Sequence, residues 1–179
     1  MYSPREDSFL LSKVIEGYLS KIESEKLKKI KFLDMGTGTG IQAETAAKFL
    51  GKKNILSVDI DKEAVDYVKN RGFKVKHSDL FAEIKNKFEI IAFNAPYLPE
   101  DEHDKGIDTS GGKLGDEVIL RFLEKAKEHL SENGKIFLVL SSLTPLGRID
   151  EEINRQGMKK EVLVKQKLFF EEVEVWEIF

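Results

Sequence analysis

The chain of 179 residues has no cysteine, which excludes disulfides and thiolate metal sites. Histidine is nearly as scarce: His77, His103 and His129 are too few and too scattered to read as a zinc constellation. No apolar run approaches the ~20 residues of a membrane-spanning helix. The opening stretch "MYSPREDSFL" is charged where a secretory signal would be apolar. Neither sign of charge dominates. The 29 Lys and Arg against 32 Asp and Glu leave a net charge of -3, without the basic excess of a generic nucleic-acid binder. These absences predict a soluble, cytoplasmic protein with no membrane partner. What is present suits a folded unit: 41% of residues are hydrophobic and 34% charged. The length is enough to bury one core, and no linker, repeat or low-complexity segment divides residues 1–179.

Periodicity supplies the architecture. "SFLLSKVIEGYLSKI" carries apolar residues at helical spacing. "KIKFLDM" is a short apolar run that stops at "GTGTG", a strand entering a tight turn, and "IQAETAAKFL" then reads as a helix closed by Gly51. "NILSVDI", "FKVKHS" and "FEIIAF" give three more strands, with "KEAVDYVKN" a helix after the first of them. The stretch from Leu98 to Gly115 has no period and predicts a long functional loop. "DEVILRFLEKAKEHL" is an amphipathic helix, turned by Asn133-Gly134 into a fifth strand, "KIFLVLS"; "PLGRIDEEINRQ" is a further helix. The tail "KKEVLVKQKLFFEEVEVWEIF" alternates with the period of a β-hairpin. The expected fold is α/β: one doubly wound, mostly parallel, seven-stranded Rossmann-like sheet with a C-terminal antiparallel hairpin.

In such a sheet, ligands bind beyond the carboxyl ends of the strands. The first strand ends in Asp34-Met35-Gly36-Thr37-Gly38-Thr39-Gly40. Glycines there let a backbone approach a ligand at a helix N-terminus. The spacing after Gly38 is not that of a dinucleotide fingerprint, and an acid at Asp34 would repel a pyrophosphate but attract a cation. S-adenosylmethionine carries such a cation. Asp59 ends the second strand about 20 residues past the glycines, where an acid accepts from ribose hydroxyls. Asp61 reads instead as the cap of the next helix. After the third strand, Asp79 can accept from an adenine amino group, with Leu80 as an apolar contact; taken alone, Asp79 is a helix cap. Glu6 and Asp7 suit the positive end of the first helix.

The fourth strand runs out in "FNAPYLP", residues 93–99. This stretch resembles the Asn-Pro-Pro-Tyr motif of amino-methylating class I methyltransferases. With "YSPREDSFLL", it is similar to the HemK-type protein-glutamine methyltransferases, and most of all to their short archaeal and eukaryotic branch. The resemblance runs from Tyr2 into the helix after the long loop and is vaguer over the hairpin. It implies a class I S-adenosylmethionine-dependent fold, with Ser8, Asp34, Gly36, Gly38, Asp59, Asp79, Leu80 and Asn94 at the cofactor. It implies that the Asn94 side-chain oxygen and the Ala95 carbonyl accept the two N–H groups of a substrate amide, while Pro96 fixes the loop and Tyr97 stacks on the amide plane. An amide nitrogen is a poor nucleophile, and these acceptors would stabilise the positive charge that develops on it. Ala95 stands where the family has proline, and Thr109 where it often has tryptophan before "SGGKLG".

The implied substrate is the glutamine of the Gly-Gly-Gln motif in the class I peptide-chain release factor. The implied partner is a small zinc-binding activator subunit that pairs with the edge strand near Phe73 to Ser78. Bacterial relatives add an N-terminal recognition domain, for which this chain has no room. Two other readings stand beside this one. An N-methyltransferase of an exocyclic amine in RNA or DNA would use the same acceptor pair, but the net charge and the acidic "EDEHD" disfavour nucleic acid. A non-catalytic S-adenosylmethionine-binding subunit would keep the glycines and lose the acceptor motif. Both are kept here.

Overall fold

The structure, a computed structural model, describes residues 3–97 and 112–179. Seven strands form one sheet in the order β3-β2-β1-β4-β5-β7-β6. These are β1 (Phe32–Met35), β2 (Ile55–Asp59), β3 (Lys74–His77), β4 (Phe88–Asn94), β5 (Leu130–Ser141), β6 (Lys160–Lys167) and β7 (Glu172–Ile178). The first five pair in parallel, while β7 runs antiparallel to both β5 and β6. The expected closing hairpin is therefore one margin of the sheet, and β3 is the other.

Helices α1 (Glu6–Leu19), α2 (Ser24–Leu27), α3 (Ile41–Leu50), α4 (Lys62–Asn70), α5 (Glu117–Ala126) and α6 (Leu146–Arg155) complete the fold. The one-turn α2 has no counterpart in the sequence reading, because four residues carry too little periodicity to register. Strand order reverses between β1 and β4, and right-handed crossovers then send α5 and α6 to the face opposite α3 and α4. α1 packs on α3 and reaches across to β4, β5 and β7. The core lies on both sides of the central strands, and every residue of β1 is buried. Phe32, Phe122, Phe137 and Trp176 are among its largest members.

One boundary needs correcting. Asn133-Gly134 reads as a turn that precedes the fifth strand, yet β5 already begins at Leu130. Asn133 takes a positive φ of 61°, and the β4–β5 register shifts between Phe88 and Ile90. The pair makes a bulge inside the strand. A Cβ on Gly134 would sit 2.9 Å from the carbonyl oxygens of Phe88 and Ser131, so the close backbone approach demands glycine.

Of the loop expected over 98–115, only residues 112–115 are described. There the Leu114 N–H donates to the Glu117 carboxylate at 3.1 Å, closing a turn onto the start of α5.

Candidate functional site

β1 and β4 lie side by side at the switch point, with Met35 opposite Phe93. The two chains part at Gly36 and Asn94, which opens a crevice at the carboxyl end of the sheet. Gly36 has a φ of 61°, and a Cβ on it would meet the Phe93 ring at 3.1 Å. Conformation and space both select glycine. Gly40 turns the chain into α3 with a φ of 82° and packs against Val68.

Two carboxylates shape this turn. Asp59 accepts from the Gly38 N–H at 2.8 Å through Oδ2 and from the Asp61 N–H at 2.9 Å through Oδ1. It thus ties the glycine loop to the end of β2. Asp61 caps α4, accepting from the Glu63 N–H at 2.9 Å, as its position in the sequence suggests.

Asp34 is buried and accepts through Oδ2 from the Thr37 hydroxyl at 2.6 Å and the Ala43 N–H at 3.2 Å. Burial pushes its carboxyl up to about 7; the bonds from Thr37 and Ala43 oppose this, and the nearby Asp59 charge reinforces it. The native chain therefore holds a proton that the unfolded chain releases near its ordinary 3.8. Between those values the folded state binds more protons, so this group's contribution to stability is full below the lower value and is lost as pH rises through the upper one. The stability of Asp34→Asn relative to the parent should rise between pH 4 and pH 8, by up to about 4 kcal/mol. Denaturant midpoints across that range would show it; a pH-independent difference would exclude it.

Asn94 is held from the opposite side. Its side-chain NH2 donates to Asp7 Oδ2 at 3.1 Å and to Ser8 Oγ at 3.2 Å. Asp7 is 4% exposed. It also accepts from the Ser8 N–H at 2.6 Å, the Ser8 hydroxyl at 3.2 Å and the Tyr97 hydroxyl at 3.2 Å. Gln42 donates to the Ser8 carbonyl at 2.9 Å and accepts from the Ser12 hydroxyl at 2.9 Å, which pins α1 to α3. With the NH2 group fixed on two acceptors, the carboxamide can face only one way. Its Oδ1 is buried and accepts from nothing among the described residues.

Two other buried side-chain atoms share that condition. Ser57 Oγ lies within the sheet, and Asp116 belongs to an ion pair with Arg148 at 3.0 Å. Only the Asn94 oxygen stands at a strand tip beside the glycine turn. A desolvated acceptor with no donor costs about 1–3 kcal/mol, and such atoms call for a functional account. Ala95 is buried beside it, Pro96 is half-buried, and Tyr97 is 9% exposed with its hydroxyl committed to Asp7.

Asp79 and Leu80 follow β3, at the carboxyl end of the sheet. Asp79 is exposed and pairs with Arg121 of α5 at 2.6 Å, a contact that nothing in the sequence pattern announces. Leu80 has a φ of 48°, a conformation L-residues seldom adopt, and the Ser78 hydroxyl donates to its carbonyl at 3.0 Å. Such backbone clusters at ligand sites.

The structure thus brings Ser8, Asn94 and Tyr97 into one network around Asp7, while Asp34 and Asp59 each hold the glycine turn, through Thr37 and Gly38 respectively. Asp7 is the residue that sequence reasoning missed. A helix-start acid explained it fully at that level; its burial and its donors Asn94 and Tyr97, 87 and 90 residues away, are tertiary. Asp79 and Leu80 join neither group.

The Methyltransferase small domain model matches residues 16–170. A Methanocaldococcus jannaschii protein named as a protein N5-glutamine methyltransferase is 35% identical over 98% of this chain and 89% of its own. A Streptococcus pneumoniae release factor glutamine methyltransferase is 33% identical over 69% of this chain, which spans about half of that longer relative (50%). Among solved structures, the E. cuniculi Mtq2-Trm112 complex, described as responsible for methylation of the eRF1 translation termination factor, aligns with a TM-score of 0.78. It covers 99% of this chain and 96% of that one at 25% identity.

Proposed function

Because the chain belongs to the methyltransferase small domain family, and within it to the protein N5-glutamine methyltransferases, we propose that it methylates the glutamine side-chain amide in the Gly-Gly-Gln motif of a class I peptide-chain release factor. It is an S-adenosylmethionine-dependent N-methyltransferase. When bound, that cofactor supplies an electrophilic methyl group on a sulfonium.

The residues at the switch point fit such a group. Asp59 places a carboxylate at the end of β2 where ribose hydroxyls would lie, Gly36 and Gly38 would admit a ligand to the backbone, and the acids at Asp34 and Asp59 favour its positive charge. A cation beside Asp34 would drive off the proton that burial retains there. Arg121 occupies one Asp79 oxygen; the other could accept from an adenine amino group, and Leu80 could supply an apolar contact.

The observation that carries the reading is the unpartnered Oδ1 of Asn94. Asp7 and Ser8 take up the carboxamide NH2, which leaves this buried oxygen as the acceptor of the side chain. It accepts one substrate N–H, the Ala95 carbonyl accepts the second, and the nitrogen lone pair is left free to attack. Both acceptors strengthen as positive charge grows on nitrogen, which then loses one proton. Pro96 limits the loop, and Tyr97 acts through its bond to Asp7.

We assign the methyltransferase unit to residues 1–179 as one domain acting in the cytoplasm. No helix among the described residues is long and apolar enough to cross a membrane. A small zinc-binding activator is proposed at β3. Among the described residues that strand pairs with β2 alone, which leaves its outer edge open, whereas β6 at the other margin carries a bulge between Val162 and Val164 that blunts pairing.

Methyl transfer from labelled cofactor, offered release factor and total RNA in parallel, tests the assignment. Label should enter the factor at the Gly-Gly-Gln glutamine, and more so with the activator present. Label confined to RNA would replace this substrate with a nucleic-acid amine, and no label in any arm would favour a non-catalytic subunit.

A further inference from the structure

The carboxyl end of the sheet carries a feature that methyl transfer does not use. Between β6 and β7 the chain turns through Phe169 and Phe170, which are 92% and 84% exposed. Their rings meet edge to face with centroids 4.6 Å apart. The turn beneath them is built. Leu168 packs on the core, and its N–H donates to the Glu171 carbonyl at 2.8 Å. The Ser142 N–H donates to the Glu172 carbonyl at 2.8 Å, and the Glu172 N–H returns to Ser142 Oγ at 3.0 Å. The Ser141 hydroxyl donates to Glu171. Leu143, next in the β5–α6 connection, is 49% exposed. Large apolar side chains left in water on a fixed turn are the mark of an interaction surface.

Register places this turn relative to the site. Asn94 lies opposite Val139, and Ser141 opposite Val173. The hairpin base is thus two strands across from Asn94, about 10 Å away, and two residues further toward the ligand end, about 7 Å. The aromatic turn therefore lies at the same end of the sheet as the crevice. A side-chain amide in the crevice cannot itself touch it; the macromolecule bearing that amide can. The local charge favours a protein over a phosphate backbone. Lys165 is paired with Glu172 and Glu174, and Glu171 and Glu172 directly follow the aromatics.

We infer that Phe169 and Phe170, together with the exposed Leu143, form a docking knob for an apolar patch on the protein that carries the target glutamine. The inference rests on the substrate reading above. It separates holding the substrate protein from positioning its amide, so removing the knob should weaken capture and spare chemistry. The Phe169→Ala/Phe170→Ala variant, assayed on intact release factor, should raise KM about tenfold, in the range of interface hot spots. Turnover, cofactor affinity and melting temperature should match the parent. Phe169→Leu/Phe170→Leu should recover most of the loss.

An unchanged KM overturns the knob, as does a fall in kcat alone. Parent self-association that the alanine pair abolishes, with KM unchanged, would give the surface to a second copy of this chain. Weakened RNA binding with KM unchanged would give it to nucleic acid. If the parent leaves the release factor unlabelled, the substrate reading fails and the knob fails with it; an active parent matched by its variant sinks the knob alone.

Discussion

Replacing Asn94 with alanine should lower kcat by about 10²–10³-fold, the loss seen when one preorganised transition-state hydrogen bond is removed. Cofactor affinity should stay within about threefold, since the missing oxygen grips the substrate and only borders the cofactor. The side chain is half-buried and its NH2 lies on Asp7 and Ser8. Truncation therefore also leaves two acceptors without their donor and should cost some stability, about 1 kcal/mol. Asp7→Ala separates holding the amide from being the amide. It keeps the carboxamide but frees it to rotate, so kcat should fall by less than in Asn94→Ala while cofactor affinity is again unchanged. Single-turnover rates beside calorimetric titration read both quantities. Full activity in Asn94→Ala would remove the proposed acceptor.

Asp59→Ala should act on the other half of the site. Its carboxylate joins the Gly38 and Asp61 N–H groups and faces where ribose hydroxyls are proposed. Charge-assisted hydrogen bonds contribute about 1.5–3 kcal/mol each, so losing the ribose contact and loosening the glycine turn together should weaken the cofactor by about 100-fold. At saturating cofactor most of the turnover should return, because the amide-holding network does not include this residue. Calorimetry showing unchanged affinity would reject the ribose role. A variant whose kcat stays depressed at saturation would show instead that the two halves of the site are coupled.

How much of this was legible in the sequence depended on how local each cause was. The sheet could be read because each buried strand is a short apolar run that ends in glycine or an acid, and those runs alternate with helices. "FEIIAF" and "GTGTG" declare themselves within a few residues. The Asp61 cap was equally plain, since its partner Glu63 is two residues away. Asn133-Gly134 misled for the same reason. Its local preference is for a turn, but pairing with β4 before and after it, at Leu130 and Lys135, carries the strand through it as a bulge. The site was legible in its residue types and not in its wiring. Asp7 looked complete as a helix-start acid, and Asp79 as a cap or adenine contact. The Arg121 that pairs with Asp79 lies 42 residues further on, and no short-range pattern connects them.

The bond from Asn94 to Asp7 joins positions 87 apart in the chain. Closing so long a loop is entropically expensive and occurs late relative to local helix formation. A growing chain thus makes its first helix early and cannot lock the strand-tip amide until the following half has been synthesised and has collapsed around it. Competence for methyl transfer should therefore be among the last properties to emerge during refolding. A cut or bulky fusion ahead of α1 would be felt at the reacting centre even when the sheet itself survives.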